Sequence, residues 1–70
     1  MVTKFKKLQQ MRVLIGHSSD GKILSERIDE YNKIVASLDV TAERKQKLYM
    51  MGKRAANQRI KYFKKQYKNY

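Results

Sequence analysis

The sequence predicts an all-α protein: a small three-helix unit, with helices at about residues 3–15, 20–38 and 41–68, whose long basic C-terminal helix projects beyond the core. Apolar residues recur at spacings of three and four in all three segments, as in amphipathic helices. The chain contains no proline and no internal repeat, so we treat residues 1–70 as one domain. Leu, Ile, Val and Phe make up about 23% of the residues, close to the ~20% below which a highly charged chain stays disordered. The core is therefore expected to be thin.

The middle helix has the clearest pattern, with one apolar stripe and an acidic side opposite it. The stripe comprises Ile23, Leu24, Ile28, Tyr31, Ile34, Val35 and Leu38. The acidic side comprises Glu26, Asp29 and Glu30. We interpret these acids as a balance to the basic charge elsewhere in the folded unit. Ser19 or Asp20 is the expected N-cap, because a side-chain oxygen there accepts a hydrogen bond from a free N–H group of the first turn.

The third helix begins near Thr41, whose hydroxyl is a suitable cap, and continues to about Lys68. At ~1.5 Å per residue it is about 40 Å long, whereas the second helix is about 28 Å long. Residues 60–70 are therefore expected to project beyond the core as a basic and aromatic helix end. Gly52 lies within the apolar stripe of this helix, where the missing side chain allows another helix to approach closely.

The N-terminal segment has two possible structures. Its apolar residues Phe5, Leu8, Met11 and Ile15 fit one face of a helix, and we expect Gly16 to end that helix as a left-handed C-cap. The alternative is a short hairpin within residues 11–24, followed by two helices, since Val and Ile favour strands. An isolated two-stranded ribbon is only marginally stable in water, so the helix is the preferred prediction.

Charge is the most informative property of the sequence. Seventeen Lys and Arg against six acids give a net charge of +11 and a pI near 10.1, and such an excess attracts polyanions. The third helix carries on its outer side a cationic ridge: Lys47, Lys53, Arg54, Lys61, Lys64, Lys65 and Lys68. No acid lies within the ridge, although like charges four residues apart repel each other along a helix. We interpret it as a polyanion-binding surface; the alternative is an inert helix face that only increases solubility.

The cationic ridge predicts a nucleic-acid-binding protein, with RNA preferred over DNA. Duplexes carry one phosphate charge per ~1.7 Å of axis, and lysine-rich surfaces respond to backbone charge more than to base sequence. Lys4, Lys6 and Lys7 are expected to add phosphate contacts. Tyr62 and Tyr70 are candidates for stacking on unpaired bases, which favours single-stranded or looped RNA.

Other functions remain open. The protein could be an inhibitor, an antitoxin-like protein or an accessory factor, of the kind that phages encode, that docks on an acidic protein surface. Ile60, Phe63 and Tyr67 would then be its anchors in a groove, although core packing is the preferred interpretation of Phe63 and Tyr67. A homodimer through the projecting helix is a further hypothesis. Binding to an anionic membrane is disfavoured, because the apolar face contains Gly and Ala and the chain has no Trp.

The residue inventory predicts neither an enzyme nor a cofactor, metal site or small-molecule substrate. The chain has no cysteine, which excludes disulfides, thiolate nucleophiles and cysteine-based zinc sites. Its single histidine, His17, lies beside Ser18, Ser19 and Asp20, a composition that turn chemistry alone explains. The sequence also lacks an apolar run of ~18 residues and the features of a signal peptide. We therefore expect a cytoplasmic protein, located in the host cytoplasm if it is viral.

Overall fold

A computed structural model describes residues 3–68, with side chains described as far as Gln66. Within this span the protein has three helices and no strand: α1 (Lys4–Gly16), α2 (Gly21–Ala36) and α3 (Ala42–Lys68). The three-helix prediction is confirmed, and each boundary lies within two residues of its expected position. The long basic C-terminal helix is confirmed as well, since α3 has 27 residues against 13 in α1 and 16 in α2.

The hairpin alternative for residues 11–24 is wrong, because these residues form the end of α1, a turn and the start of α2. Helical spacing places Leu8, Met11 and Ile15 on one side of α1, and all three side chains are buried. The fourth residue of that predicted face, Phe5, remains 46% exposed. Burial of three apolar side chains against two other helices stabilises this segment more than an isolated two-stranded ribbon would.

Each helix begins at a residue whose side chain caps the first turn. Thr3 Oγ1 accepts a hydrogen bond from the backbone N–H of Lys6 at 3.2 Å, before α1. Asp20 Oδ1 accepts from the N–H of Ile23 at 2.9 Å and begins α2. Thr41 Oγ1 accepts a hydrogen bond from a backbone N–H group in the first turn of α3. Of the two residues predicted to cap α2, Asp20 rather than Ser19 is the N-cap, and the predicted cap at Thr41 is confirmed.

The end of α1 differs from the prediction, because Gly16 is helical and no described glycine has a positive φ. The C-cap is instead His17, with φ −117° and ψ 17°. The buried hydroxyl of Ser18 donates to the carbonyl oxygen of Ile15 at 3.0 Å. Arg27 of α2 donates from Nη1 to the carbonyl oxygen of Leu14 at 2.6 Å. These polar groups satisfy the free carbonyls that a left-handed cap would otherwise serve.

The end of α2 is capped by lysines from the other two helices. Lys4 Nζ of α1 donates to the carbonyl oxygen and the hydroxyl of Ser37, each at 3.3 Å. Lys45 Nζ of α3 donates to the carbonyl oxygen of Ala36 at 3.1 Å. A cation at a helix C-terminus also interacts favourably with the helix dipole. Two of the chain's many cations therefore hold helix ends together, which the sequence pattern did not indicate.

The three helices enclose one small core. Its buried apolar residues come mainly from α1 and α2, with one small side chain from α3: Leu8, Met11, Ile15, Leu24, Tyr31, Val35, Leu38 and Ala56. The α1 and α3 helices run in the same direction, because Arg44 lies over Phe5 near their N-terminal ends and Arg59 bonds to Ser18 near the end of α1. The α2 helix runs antiparallel to both.

Tyr31 is the central residue of the core and joins all three helices. Its side chain is fully buried, and its hydroxyl donates to the carbonyl oxygen of Leu48 in α3 at 2.6 Å. Arg12 of α1 donates from Nη1 to the same hydroxyl at 3.3 Å. Gly52 is also buried and lies against the Tyr31 ring. The predicted close approach at Gly52 is confirmed.

The C-terminal part of α3 extends past the ends of α1 and α2. Phe63 is partly buried and still packs against the core. Lys64, Lys65 and Gln66 follow it and are all exposed. The Cα atoms extend 46 Å along the longest axis, which is close to the ~40 Å length of a 27-residue helix. The basic side chains in this part of α3 are therefore available to a partner.

Candidate nucleic-acid interface

Four cations of the cationic ridge lie along a single line of α3. At ~100° per residue they fall within about 40° of one another, opposite the buried Gly52 and Ala56. All four side chains are exposed, and we call this set the central line: Lys47, Arg54, Lys61 and Lys65. The first three are spaced by seven residues, or ~10.5 Å along the helix. No acid interrupts the line, although Glu43 precedes Lys47 by one turn.

Two other ridge cations lie off this line. Lys53 and Lys64 are exposed but sit about a quarter turn away from the central line, both on the same flank of α3. Lys53 lines a shallow groove between these helices together with Ile28 and Asn32 of α2. The side chain of Lys68 lies outside the described residues. The predicted ridge therefore resolves into a central line and a flank pair, Lys53 and Lys64.

Two methionines interrupt the cationic surface between Lys47 and Arg54. Met50 and Met51 are 44% and 43% exposed, and both line a shallow depression with these two cations. Neither methionine was predicted to belong to the site, although both lie outside the apolar stripe of α3 and are therefore directed towards solvent. This part of the surface offers apolar contacts beside positive charge.

Tyr62 lies on the flank of α3 opposite the flank pair and is 44% exposed. The guanidinium carbon of Arg59 lies 4.2 Å from the centroid of the Tyr62 ring. Gln66 Nε2 donates a hydrogen bond to the Tyr62 hydroxyl at 2.8 Å. The ring therefore has two side-chain partners and is still accessible, as a stacking residue must be. Tyr70, the other candidate for stacking, lies outside the described residues.

Arg59 is the residue of this region that the sequence analysis did not identify. Its Nε donates to the carbonyl oxygen of Ser18 at 2.7 Å, in the turn between α1 and α2. Its guanidinium also lies 5.1 Å from the centroid of the Phe63 ring. The two residues that the hydrogen bond joins are 41 positions apart, so helical periodicity carries no signal for this contact. Among the sequence features, only the spacing of Arg59 from Tyr62 and Phe63, by three and four residues, indicates side-chain proximity.

The N-terminal cations do not join the central line. The amine of Lys4 bonds to Ser37 at the end of α2. Lys6 and Lys7 are exposed on α1, and Lys6 is directed away from the core side of that helix. Contacts from these residues would therefore require a ligand that reaches from α3 around to α1.

The proposed protein-docking anchors do not form one exposed stripe. Ile60 is 38% exposed and lines the groove between α2 and α3. Phe63 is partly buried against the core, and the side chain of Tyr67 lies outside the described residues. The acids Glu26, Asp29 and Glu30 are exposed on α2, so the α2 and α3 surfaces differ in sign. A polyanion would meet cations on α3 and acids on α2.

Within residues 3–68, no three His, Asp or Glu side chains converge closely enough to hold a metal ion. None of the helices in the same span has an apolar stretch long enough to cross a bilayer. The lone histidine uses Nδ1 in a local contact, 2.8 Å from the carbonyl oxygen of Val13. In comparisons with known proteins, no family model, curated protein or solved structure matches the chain.

Proposed function

We propose that this protein binds nucleic acid through the phosphate backbone, with RNA preferred over DNA. The observation that supports this proposal is the central line: four exposed cations on one side of α3, with no acid between the first and the last. From Lys47 to Lys65 the line covers 18 residues, or ~27 Å of helix. A row of this length runs beside many phosphates of a duplex, where charges occur every ~1.7 Å.

The physical basis of binding is the release of counterions. Cations that replace condensed counterions on a nucleic acid gain free energy, and this gain falls as salt concentration rises. Three of the four cations of the central line are lysines, which act as mobile point charges rather than as planar forks for guanine edges. We therefore expect affinity to depend strongly on salt and weakly on base sequence.

The preference for RNA rests on the aromatic side chain beside the line. Tyr62 is exposed and lies within one helical turn of Lys61 and Lys65. Unpaired bases, which are common in RNA loops and bulges, stack on such rings. DNA in cells is mostly paired and offers few free base faces, so RNA can add a stacking contact with Tyr62 that paired DNA cannot make.

A matched pair of double variants tests this function. Lys61→Gln with Lys65→Gln removes two charges from the central line, whereas Lys22→Gln with Lys33→Gln removes two exposed charges from α2. Affinity for a labelled single-stranded RNA would be measured by fluorescence anisotropy at several salt concentrations. The α3 variant should reduce the slope of log K against log salt by about 1.4, at ~0.7 per phosphate contact. The α2 variant should leave the slope unchanged.

A slope near zero for the unmodified protein, or equal effects of the two double variants, would contradict the proposal. Purification with and without nuclease adds a test of the ligand class. Absorbance at 260 nm that copurifies with the protein and disappears after RNase but not DNase treatment supports RNA. Loss after DNase alone would contradict the preference for RNA.

One observation favours a second candidate function, binding to an acidic protein surface. Met50 and Met51 place exposed apolar groups between Lys47 and Arg54, and flexible methionines are common in protein-binding surfaces. A partner of this kind would stay bound after nuclease treatment. Met50→Ser with Met51→Ser should then weaken its binding, while the salt dependence of RNA binding should not change.

A further inference from the structure

We infer that Tyr62 is the site where one unpaired nucleobase stacks and that Arg59 holds its ring in position, so that the preferred ligand is single-stranded or looped RNA rather than a duplex. This inference rests on the proposed function and assigns to it a specific nucleotide site. It depends on contacts around Tyr62 that lie within the described residues.

Arg59 is fixed at two places. Its Nε donates to the carbonyl oxygen of Ser18 at 2.7 Å, which ties α3 to the turn after α1. Its guanidinium lies 4.2 Å from the Tyr62 centroid and 5.1 Å from the Phe63 centroid. A planar guanidinium packs well on an aromatic face. Because its position is set by the backbone of another segment, Arg59 provides a fixed support for the Tyr62 ring.

Three neighbours restrict the Tyr62 ring in different directions. Arg59 covers one face, and Gln66 Nε2 bonds to the hydroxyl at 2.8 Å. Phe63 approaches with its ring 6.2 Å away and tilted by 61°, in an edge contact. Free surface tyrosines lose rotamer entropy when a ligand orders them. Because these contacts already restrict the rotamers of Tyr62, less side-chain entropy is lost when a base stacks on it than for a free surface tyrosine.

We expect a base to stack on the face of the Tyr62 ring away from Arg59. Arg59 packs on one face of the ring, and the residue as a whole is 44% exposed, so the opposite face is the one left for a base. A base on the open face would complete a stack in the order guanidinium, phenol and base. Lys61 and Lys65 arise within one helical turn of Tyr62, so their amines can reach the phosphates that flank a base stacked there.

A duplex cannot use this site without losing base stacking. Its base faces are covered by neighbouring pairs, and a base must be flipped out before it can reach Tyr62, at a cost of a few kcal/mol. The central line alone should therefore bind duplex and single strand by charge, while Tyr62 adds affinity only for the single strand. Selectivity for unpaired nucleotides follows from this difference.

The test compares Tyr62→Leu and Tyr62→Phe on two RNA probes of equal length. One probe is a single strand that contains 2-aminopurine, whose fluorescence falls when it stacks, and the other is a blunt duplex. Tyr62→Leu should weaken single-strand binding by about 5- to 150-fold, the range measured for loss of one stacking residue. Duplex affinity should change less than about twofold. Tyr62→Phe keeps the ring and should retain the quenching of 2-aminopurine.

The double variant Lys61→Gln with Lys65→Gln separates the two proposals. If it weakens both probes while Tyr62→Leu changes neither by more than about twofold, the stacking site is refuted and the charge-based function stands. Equal losses on both probes for Tyr62→Leu would also refute the site. If the unmodified protein binds neither probe, both proposals fail. Circular dichroism at 222 nm confirms that each variant is folded, and the quenching seen with the unmodified protein supports or refutes the site independently of any substitution.

Discussion

The ring of Tyr31 occupies the space that a side chain at position 52 would need. A Cβ atom built on Gly52 would lie 2.5 Å from Cε1 and 2.7 Å from Cδ1 of Tyr31, distances that real Cβ atoms do not tolerate. The ring has little room to retreat, because Tyr31 is fully buried and its hydroxyl bonds to Leu48 of α3. The contact sets how closely α2 and α3 pack.

Gly52→Ala should therefore destabilise the protein, although alanine is the better helix former. Helix propensity favours alanine by about 1 kcal/mol, but overpacking a rigid core costs about 1–3 kcal/mol. We expect a net loss of up to about 2 kcal/mol in the free energy of unfolding, measured by urea denaturation followed by circular dichroism. Equal or greater stability of this variant would show that the Tyr31 ring moves aside easily.

Gly16→Ala is the matched comparison and should have the opposite effect. Gly16 is helical, its φ is not positive, and a Cβ added there meets nothing within 4 Å. Alanine should therefore stabilise the protein by about 0.4–1 kcal/mol, because it restricts the unfolded chain without strain in the folded one. A lower unfolding midpoint would mean that α1 ends before Gly16 in solution.

Asp20→Ala should shorten or loosen the start of α2. The carboxylate of Asp20 accepts a hydrogen bond from the N–H of Ile23 at 2.9 Å, and loss of such a cap costs about 1 kcal/mol. Asp20→Asn keeps an oxygen acceptor and should cost only a few tenths of that value. Thermal unfolding of both variants measures the difference, and equal destabilisation would indicate that the charge of Asp20, rather than the hydrogen bond, is important.

The periodicity of apolar residues predicted most of the fold, because each helix buries one face along its length. Capping preference narrowed the start of α2 to Ser19 or Asp20, and the apolar stripe identified Gly52 as a point of close approach. The prediction was wrong at Gly16, where a left-handed glycine cap was expected but other side chains satisfy the carbonyl groups at the end of α1. Arg27 of α2 and the hydroxyl of Ser18 satisfy that end. The Arg27 contact depends on how the helices pack and leaves no pattern in a single sequence.

The candidate site was predictable in outline and not in detail. Charge counts identified α3 as the cationic helix, and spacing identified Tyr62 as an exposed flank residue. The spacing of ~100° per residue already places Lys53 off the central line, but the groove that it lines with α2 depends on how the helices pack. The role of Arg59 could not be derived, since its partner Ser18 is 41 positions away.

The division of the cationic ridge leads to a functional prediction. Lys53→Gln with Lys64→Gln removes the flank pair, which lies on the flank of α3 opposite Tyr62. Under the proposed function, this variant should reduce RNA affinity less than Lys61→Gln with Lys65→Gln, although both remove two charges. Anisotropy titrations at one low salt concentration measure both. A larger loss from the flank pair would mean that the ligand lies in the groove between α2 and α3.

Arg59→Lys should separate the charge of Arg59 from its shape. Lysine keeps the positive charge and can still donate to the carbonyl oxygen of Ser18, but it has no planar group to pack on Tyr62 and Phe63. We expect a loss of about 1 kcal/mol in the free energy of unfolding, of the size of a surface cation–π contact. Hydrogen exchange of the α3 amides around Phe63 should become faster, because the packing that joins this part of α3 to the turn is weakened. Unchanged exchange would indicate that the hydrogen bond to Ser18 alone secures this part of α3 and that the aromatic stack contributes nothing to it.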